Sequence, residues 1–130
     1  DKQYYEGIGR RKESSARVRL MSGSGTFIVN EKDIDAYFTR LGDIEVIIKA
    51  FQIANQSEDN YDVSVLVNGG GVTGQRDAVK LGLSRALVKM DEELRPPLRQ
   101  SGYLTRDPRV KERKKPGLKR ARKAPTYTKR

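Results

Sequence analysis

Residues 69–76 read Gly-Gly-Gly-Val-Thr-Gly-Gln-Arg, and Gly69 and Gly74 stand at the spacing of a phosphate-binding loop, G-x-x-x-x-G-K-[S/T]. In that template the lysine reaches the β- and γ-phosphates and the hydroxyl holds magnesium. Here Gln75 and Arg76 occupy those two positions. What survives is the part that holds an anion. Glycines permit positive φ and close backbone approach, the helix that follows offers unpaired N–H groups, and Gln75 and Arg76 add donors. Two readings stand: a plain strand-to-helix turn, or a phosphate cradle without catalytic parts, with Gly70, Gly71, Gln75 and Arg76 against a nucleic-acid backbone.

Other catalytic chemistry lacks its groups. The chain has no His and no Cys, which removes imidazole bases, thiol nucleophiles, disulfides and Cys/His zinc sites together. Ser14 and Ser15 have no evident base. Asp91, Glu92 and Glu93 read as acids favouring a helix N-terminus, and Glu58 and Asp59 as a solvated loop. The expectation is no catalytic residue, no metal and no cofactor.

Charge carries the stronger signal. Lys and Arg number 27 against 17 Asp and Glu, a net +10. Residues 111–130 hold ten of those cations and a single acid, Glu112, so the rest of the chain is nearly neutral. Such a segment repels itself and buries no apolar surface, which points to a polyanionic partner: nucleic acid first, an anionic membrane surface second. Pro108, Pro116 and Pro125 argue against one continuous helix. Fully extended at ~3.3 Å per residue, those twenty residues reach roughly 65 Å, enough to thread rather than coat. At the end, Tyr127 offers a stacking ring, Thr128 a hydroxyl for phosphate, and Lys129 and Arg130 two cations. A localisation signal is the bland alternative.

The elements that must position these residues follow from periodicity. Tyr4, Tyr5 and Ile8 begin an extended segment ending in Arg10, Arg11 and Lys12; residues 17–20 alternate polar and apolar; residues 22–25 read as a hairpin loop and 26–29 as the returning strand. Three strands in succession imply an antiparallel meander. Asn30 is placed to cap a helix in which Ile34, Tyr37, Phe38 and Leu41 share a face, and Ile44, Ile47, Ile48 and Phe51 repeat the stripe. Residues 61–68 alternate as a fourth strand. The helix after the glycine loop carries Val79, Leu83, Ala86, Leu87 and Met90, and Asp91 caps a last short helix. The order predicts an α+β two-layer sandwich with helices on one sheet face, as a body over residues 1–105 and a basic tail over 106–130. The N-terminus has no apolar leader and no run reaches membrane-spanning length, so a soluble intracellular protein with no membrane association is expected.

Three stretches together resemble one family: YYEGIGRRKESSARV near the start, GGGVTGQRDAVKLGLSRAL over 69–87, and GYLTRDPRVKERKKPGLKRARKAPTYTKR at the end. They are similar to the ninth protein of the small ribosomal subunit, in its bacterial or organellar form. The resemblance implies a β-β-β-α-β-α fold with a four-stranded mixed sheet, like domain two of ribosomal protein S five and related to some small-molecule kinases. It implies a structural role in the subunit head, bound to the 3′ major domain of the rRNA beside neighbouring ribosomal proteins, with the tail reaching peptidyl-site tRNA. Carried over by position, Lys129 and Arg130, with Thr128 and Tyr127 beside them, approach that tRNA. Arg10, Arg11, Lys12, Gln75 and Arg76, and the tail cations Arg106, Arg109, Lys111, Arg113, Lys114, Lys115, Lys119, Arg120, Arg122 and Lys123, contact rRNA. Many members end in Ser-Lys-Arg, whereas Thr128 stands here. The resemblance places the protein in a cytoplasmic or organellar ribosome. An enzyme binding a phosphorylated molecule at the glycine loop, and a nucleic-acid-binding protein outside the ribosome, are the alternatives.

Overall fold

The computed structural model describes residues 3–104. Strand β1 (Tyr5–Arg11) turns at Lys12 into β2 (Ser14–Ser22), and the two pair antiparallel with Gly7 opposite Val18. A loop leads to β3 (Phe27–Val29), the two-residue β4 (Lys32–Asp33), the short helix α1 (Ile34–Tyr37) and the longer α2 (Asp43–Ile53). Then come a 3-10 turn (Glu58–Asn60), β5 (Tyr61–Asn68), the long helix α3 (Val72–Met90), a second 3-10 turn (Glu92–Leu94) and α4 (Arg95–Gln100).

Alternation dictates the layers. In β2 and β5 every second side chain is buried (Ala16, Val18 and Leu20; Val63, Val65 and Val67), and these meet Val79, Leu83, Ala86 and Leu87 of α3 and Ile47, Ala50 and Phe51 of α2 in one core. The result is the expected α+β two-layer arrangement with helices on one sheet face. β1 gives no large side chain to that core. A Cβ at Gly7 or Gly9 would strike the Gly82 or Ala78 carbonyl oxygen, so α3 lies directly on the β1 backbone, and only glycine permits that approach.

The sheet differs from the meander expected. Its order is β1-β2-β5-β3-β4, with β5 lying between β2 and β3 and pairing parallel to β3. The glycine- and serine-rich loop over 22–26 is therefore not a hairpin. Ser24 and Thr26 donate backbone N–H groups to Asp62 at 3.0 and 3.1 Å, and Gly23 and Gly25 donate to the Asn60 and Tyr61 carbonyls, which seats the loop across the start of β5. The sheet also has five strands rather than four: β4 is short, polar and exposed, so no apolar alternation marks it.

The helix expected over the Ile34–Leu41 stripe is a single turn. Asn30 does not cap it; its side chain instead holds β5, donating to the Val67 carbonyl at 2.8 Å and accepting from the Val67 N–H at 2.9 Å. The chain opens after Tyr37, which buries Phe38 but leaves Leu41 98% exposed. Asp91 caps the 3-10 turn Glu92–Leu94, accepting from Glu93 N–H, rather than α4 itself, which starts from Leu94 without a side-chain cap; Pro96 sits in the first turn of α4, where its missing N–H costs nothing.

Candidate nucleic-acid interface

The glycine loop joins β5 to α3 through two consecutive left-handed residues, Gly69 (φ +80°) and Gly70 (φ +64°). That conformation strains any side-chain-bearing residue. The turn rests on the β1–β2 hairpin. Ser14 is buried and donates its hydroxyl to the Gly69 carbonyl at 2.8 Å, and a Cβ at Gly70 would collide with the same hydroxyl. Loop and hairpin tip thus form one unit, with Lys12 exposed at the tip in a left-handed conformation (φ +56°).

Between them lies an open cleft of about 470 Å³. Helix α3 begins there with Gly71 at its N-cap and no side-chain cap, leaving the first-turn N–H groups of Val72, Thr73 and Gly74 without helical partners along the cleft. Lys12 and Arg40 add positive charge at its wall, and Glu13 and Asp77 add negative charge. An anion resting there meets backbone donors and cations together, the combination that suits phosphate. The described residues contain no cluster of acids able to hold a metal ion.

Behind the cleft, charges are balanced internally. Asp43 is 1% exposed at the start of α2 and receives a two-point contact from Arg40, Nε to Oδ2 and Nη2 to Oδ1, each 2.9 Å. Arg76 adds Nη1 at 3.3 Å from Asp43 Oδ1 and also binds Asp77 Oδ1 through Nε at 3.0 Å; Arg11 lies 3.8 Å from Asp77 Oδ2. The hydrogen bonds from Arg40 hold the Asp43 carboxyl below its ordinary range despite burial, with Arg76 acting the same way. Burial opposes the charge on Arg76, and Asp77 and Asp43 more than offset it, holding its guanidinium more firmly protonated. Lys80, half-buried over the Tyr103 ring, is shifted down by burial, against the pull of Asp77.

The residues singled out from the sequence therefore divide. Arg11, Lys12, Gly70 and Gly71 surround the cleft. Gln75 and Arg76 stand behind it with their side chains engaged: Gln75 donates to the Gly69 carbonyl at 3.1 Å and accepts from the Tyr37 hydroxyl at 2.7 Å. Arg10 faces away, on the sheet surface opposite the helices. Arg106, Arg109, Lys111, Arg113, Lys114, Lys115, Lys119, Arg120, Arg122, Lys123 and the terminal Tyr127, Thr128, Lys129 and Arg130 lie outside the described residues. Sequence reasoning missed Arg40 at the cleft wall and Ser14 beneath the loop. Arg40 sat inside an expected helix, and a serine that orders a carbonyl 55 residues away leaves no local trace.

Fold and site together define a class: a small basic α+β protein whose glycine loop presents anion donors without the residues of phosphoryl transfer. A family model described as ribosomal protein S9/S16 matches residues 9–130. The chain is 55% identical over 130 residues to the small ribosomal subunit protein uS9 of Crocosphaera subtropica, covering all of this chain and 95% of that protein. The chain belongs to the ribosomal protein S9 family.

Proposed function

We propose that the chain is a non-catalytic structural constituent of the small ribosomal subunit, in a cytoplasmic or organellar ribosome. It binds the rRNA of the subunit head, in the 3′ major domain, beside neighbouring ribosomal proteins, and its last residues contact peptidyl-site tRNA. The observation that carries this reading is the segregation of charge, a nearly neutral body followed by ten cations and one acid, in a chain that aligns over its whole length with a small-subunit protein. Cations in the tail (106–130) neutralise phosphates and release counterions. In the body (1–105) the cleft takes the direct role through Lys12, Arg11 and the backbone of Gly70 and Gly71, while Gln75 and Arg76 keep the loop in shape. Lys129 and Arg130, with Thr128 and Tyr127, form the tRNA contact.

The test uses small subunits carrying the chain without Lys129 and Arg130. Assembly is expected to stay intact while initiator tRNA leaves the peptidyl site faster. Dissociation at the wild-type rate overturns the terminal role.

A further inference from the structure

The helices cover one face of the sheet, and no described element covers the other. There the register brings Ile8, Arg17 and Leu66 into one row across β1, β2 and β5. The row beside it holds Glu6, Arg19 and Ser64, and the row on the other side holds Arg10, Ser15 and Asn68. Ile8 is 39% and Leu66 57% exposed, large apolar groups flanking a guanidinium. Arg19 lies over the ring of Tyr4, 4.9 Å from its centroid, adding a cation and an aromatic plane to the same face.

Across these three rows three arginines stand against one acid. Glu6 is the acid of these three rows, and it is shared: Arg17 Nε sits 2.9 Å from Oε2 and Arg19 Nε 3.7 Å from Oε1. Glu6 is half-buried but both arginine side chains are about half exposed and share that one carboxylate, so a phosphate can compete for either guanidinium. Asp62 serves the loop over 24–26, and Asp33 lies at the far edge on β4. The row of Arg10, Ser15 and Asn68 is next in the chain to the hairpin tip and to Gly69, whose neighbours line the cleft on the other side.

We propose that this open sheet face is a second RNA-contacting surface, a deepening that rests on the RNA-binding reading above. Arg10, Arg17 and Arg19 grip the sugar–phosphate backbone. Ile8 and Leu66 lie against ribose or an unstacked base. The short polar groups of Ser15, Ser64 and Asn68 meet 2′-hydroxyls, a mode of contact that suits RNA read by shape. RNA is the occupant chosen because the face is net positive and its arginines alternate along adjacent strands roughly 7 Å apart, at the end of the sheet whose neighbouring residues lead into the glycine-loop cleft.

The experiment measures binding of the full chain to a transcript of the 3′ major domain across a salt series. The variant R10Q/R17Q/R19Q is compared with K49Q/K89Q/R99Q, which removes the same charge from the helix layer. The sheet variant is expected to bind about tenfold more weakly at physiological salt, with a salt dependence shallower by about 2, and the helix variant to stay close to wild type. Equal losses in both, or none in the first, overturn the proposal. If the wild-type chain fails to bind the transcript, the RNA-binding reading falls; if it binds and the sheet variant binds as tightly as wild type, this proposal falls alone. Small subunits assembled with photoreactive p-benzoylphenylalanine in place of Leu66 supply the second readout. Crosslinks to rRNA support the assignment, and crosslinks to protein alone overturn it and give the face to a neighbouring protein.

Discussion

The arginines around the glycine loop and the cations after residue 110 are the same chemistry in opposite electrostatic settings. Arg40, Arg76 and Arg11 converge on Asp43 and Asp77, and each carboxylate is shared between two guanidiniums. In residues 111–130, ten cations have Glu112 as their one acid. The first group, three guanidiniums on two carboxylates, is largely neutralised within the fold and stiffens it, with Arg11 also lining the cleft; the second carries its imbalance to whatever it meets. A cation's residue type therefore says little about whether it faces a partner. The local supply of carboxylates says more.

That contrast is broken most directly by removing the unbalanced side. Truncating residues 111–130 is expected to make the salt dependence of rRNA binding shallower by roughly 7–9, from about 0.7–0.9 per lost phosphate contact, while the thermal midpoint of the body stays put. A truncated chain with the original salt dependence would place the affinity in the body.

The balanced side answers to Asp43→Asn, which leaves Arg40 and Arg76 without their shared carboxylate. The expected loss is about 3 kcal/mol, seen as a lower midpoint in thermal or urea unfolding. Because the folded Asp43 carboxyl is held below 3.8, its contribution is present above the unfolded carboxylate range and disappears as pH falls through the folded value. Wild-type stability should decline on acidification below about pH 4, and the Asn variant should show a flatter acid limb in the same titration.

A finer division is expected within the loop itself. Gln75→Ala removes two internal hydrogen bonds and should lower stability by about 1 kcal/mol. Lys12→Ala should weaken RNA binding and leave the midpoint unchanged. Reversed outcomes would make Gln75 the RNA contact and Lys12 a fold residue. The smallest effect belongs to the exposed Arg95–Glu92 pair: Glu92→Gln is expected to change neither unfolding nor RNA binding, since solvent screens such pairs.

Much of the fold was legible because it depends on short-range pattern. The alternation of Tyr61–Asn68 marked β5 to the residue, and the 3.6-residue stripe of Val79, Leu83, Ala86 and Leu87 marked the buried side of α3. Pairing was not legible. β2 and β3 are neighbours in the chain, but Asp62 and the backbone of residues 60–61 draw the loop between them over β5, a contact made by residues some 36–38 positions apart. Leu41 matched the apolar period of its segment and is exposed all the same, because the chain leaves the helix after Tyr37. At the site, the glycines announced the turn, but Ser14 and Arg40 did not announce their roles in it.

The sequence by itself determined the family, the layer composition and the uneven distribution of charge, since each is written in residue type and local spacing. Tertiary structure alone decided which cations are already satisfied. It set Gln75 and Arg76 behind the glycine loop, left Lys12 at its mouth, and gathered Arg10, Arg17 and Arg19 on a face that no described element covers. The physical reason is that hydrogen bonds and ion pairs are matters of a few ångströms, and only folding brings Asp43 to Arg76 or Glu6 to Arg17 and Arg19 across such distances.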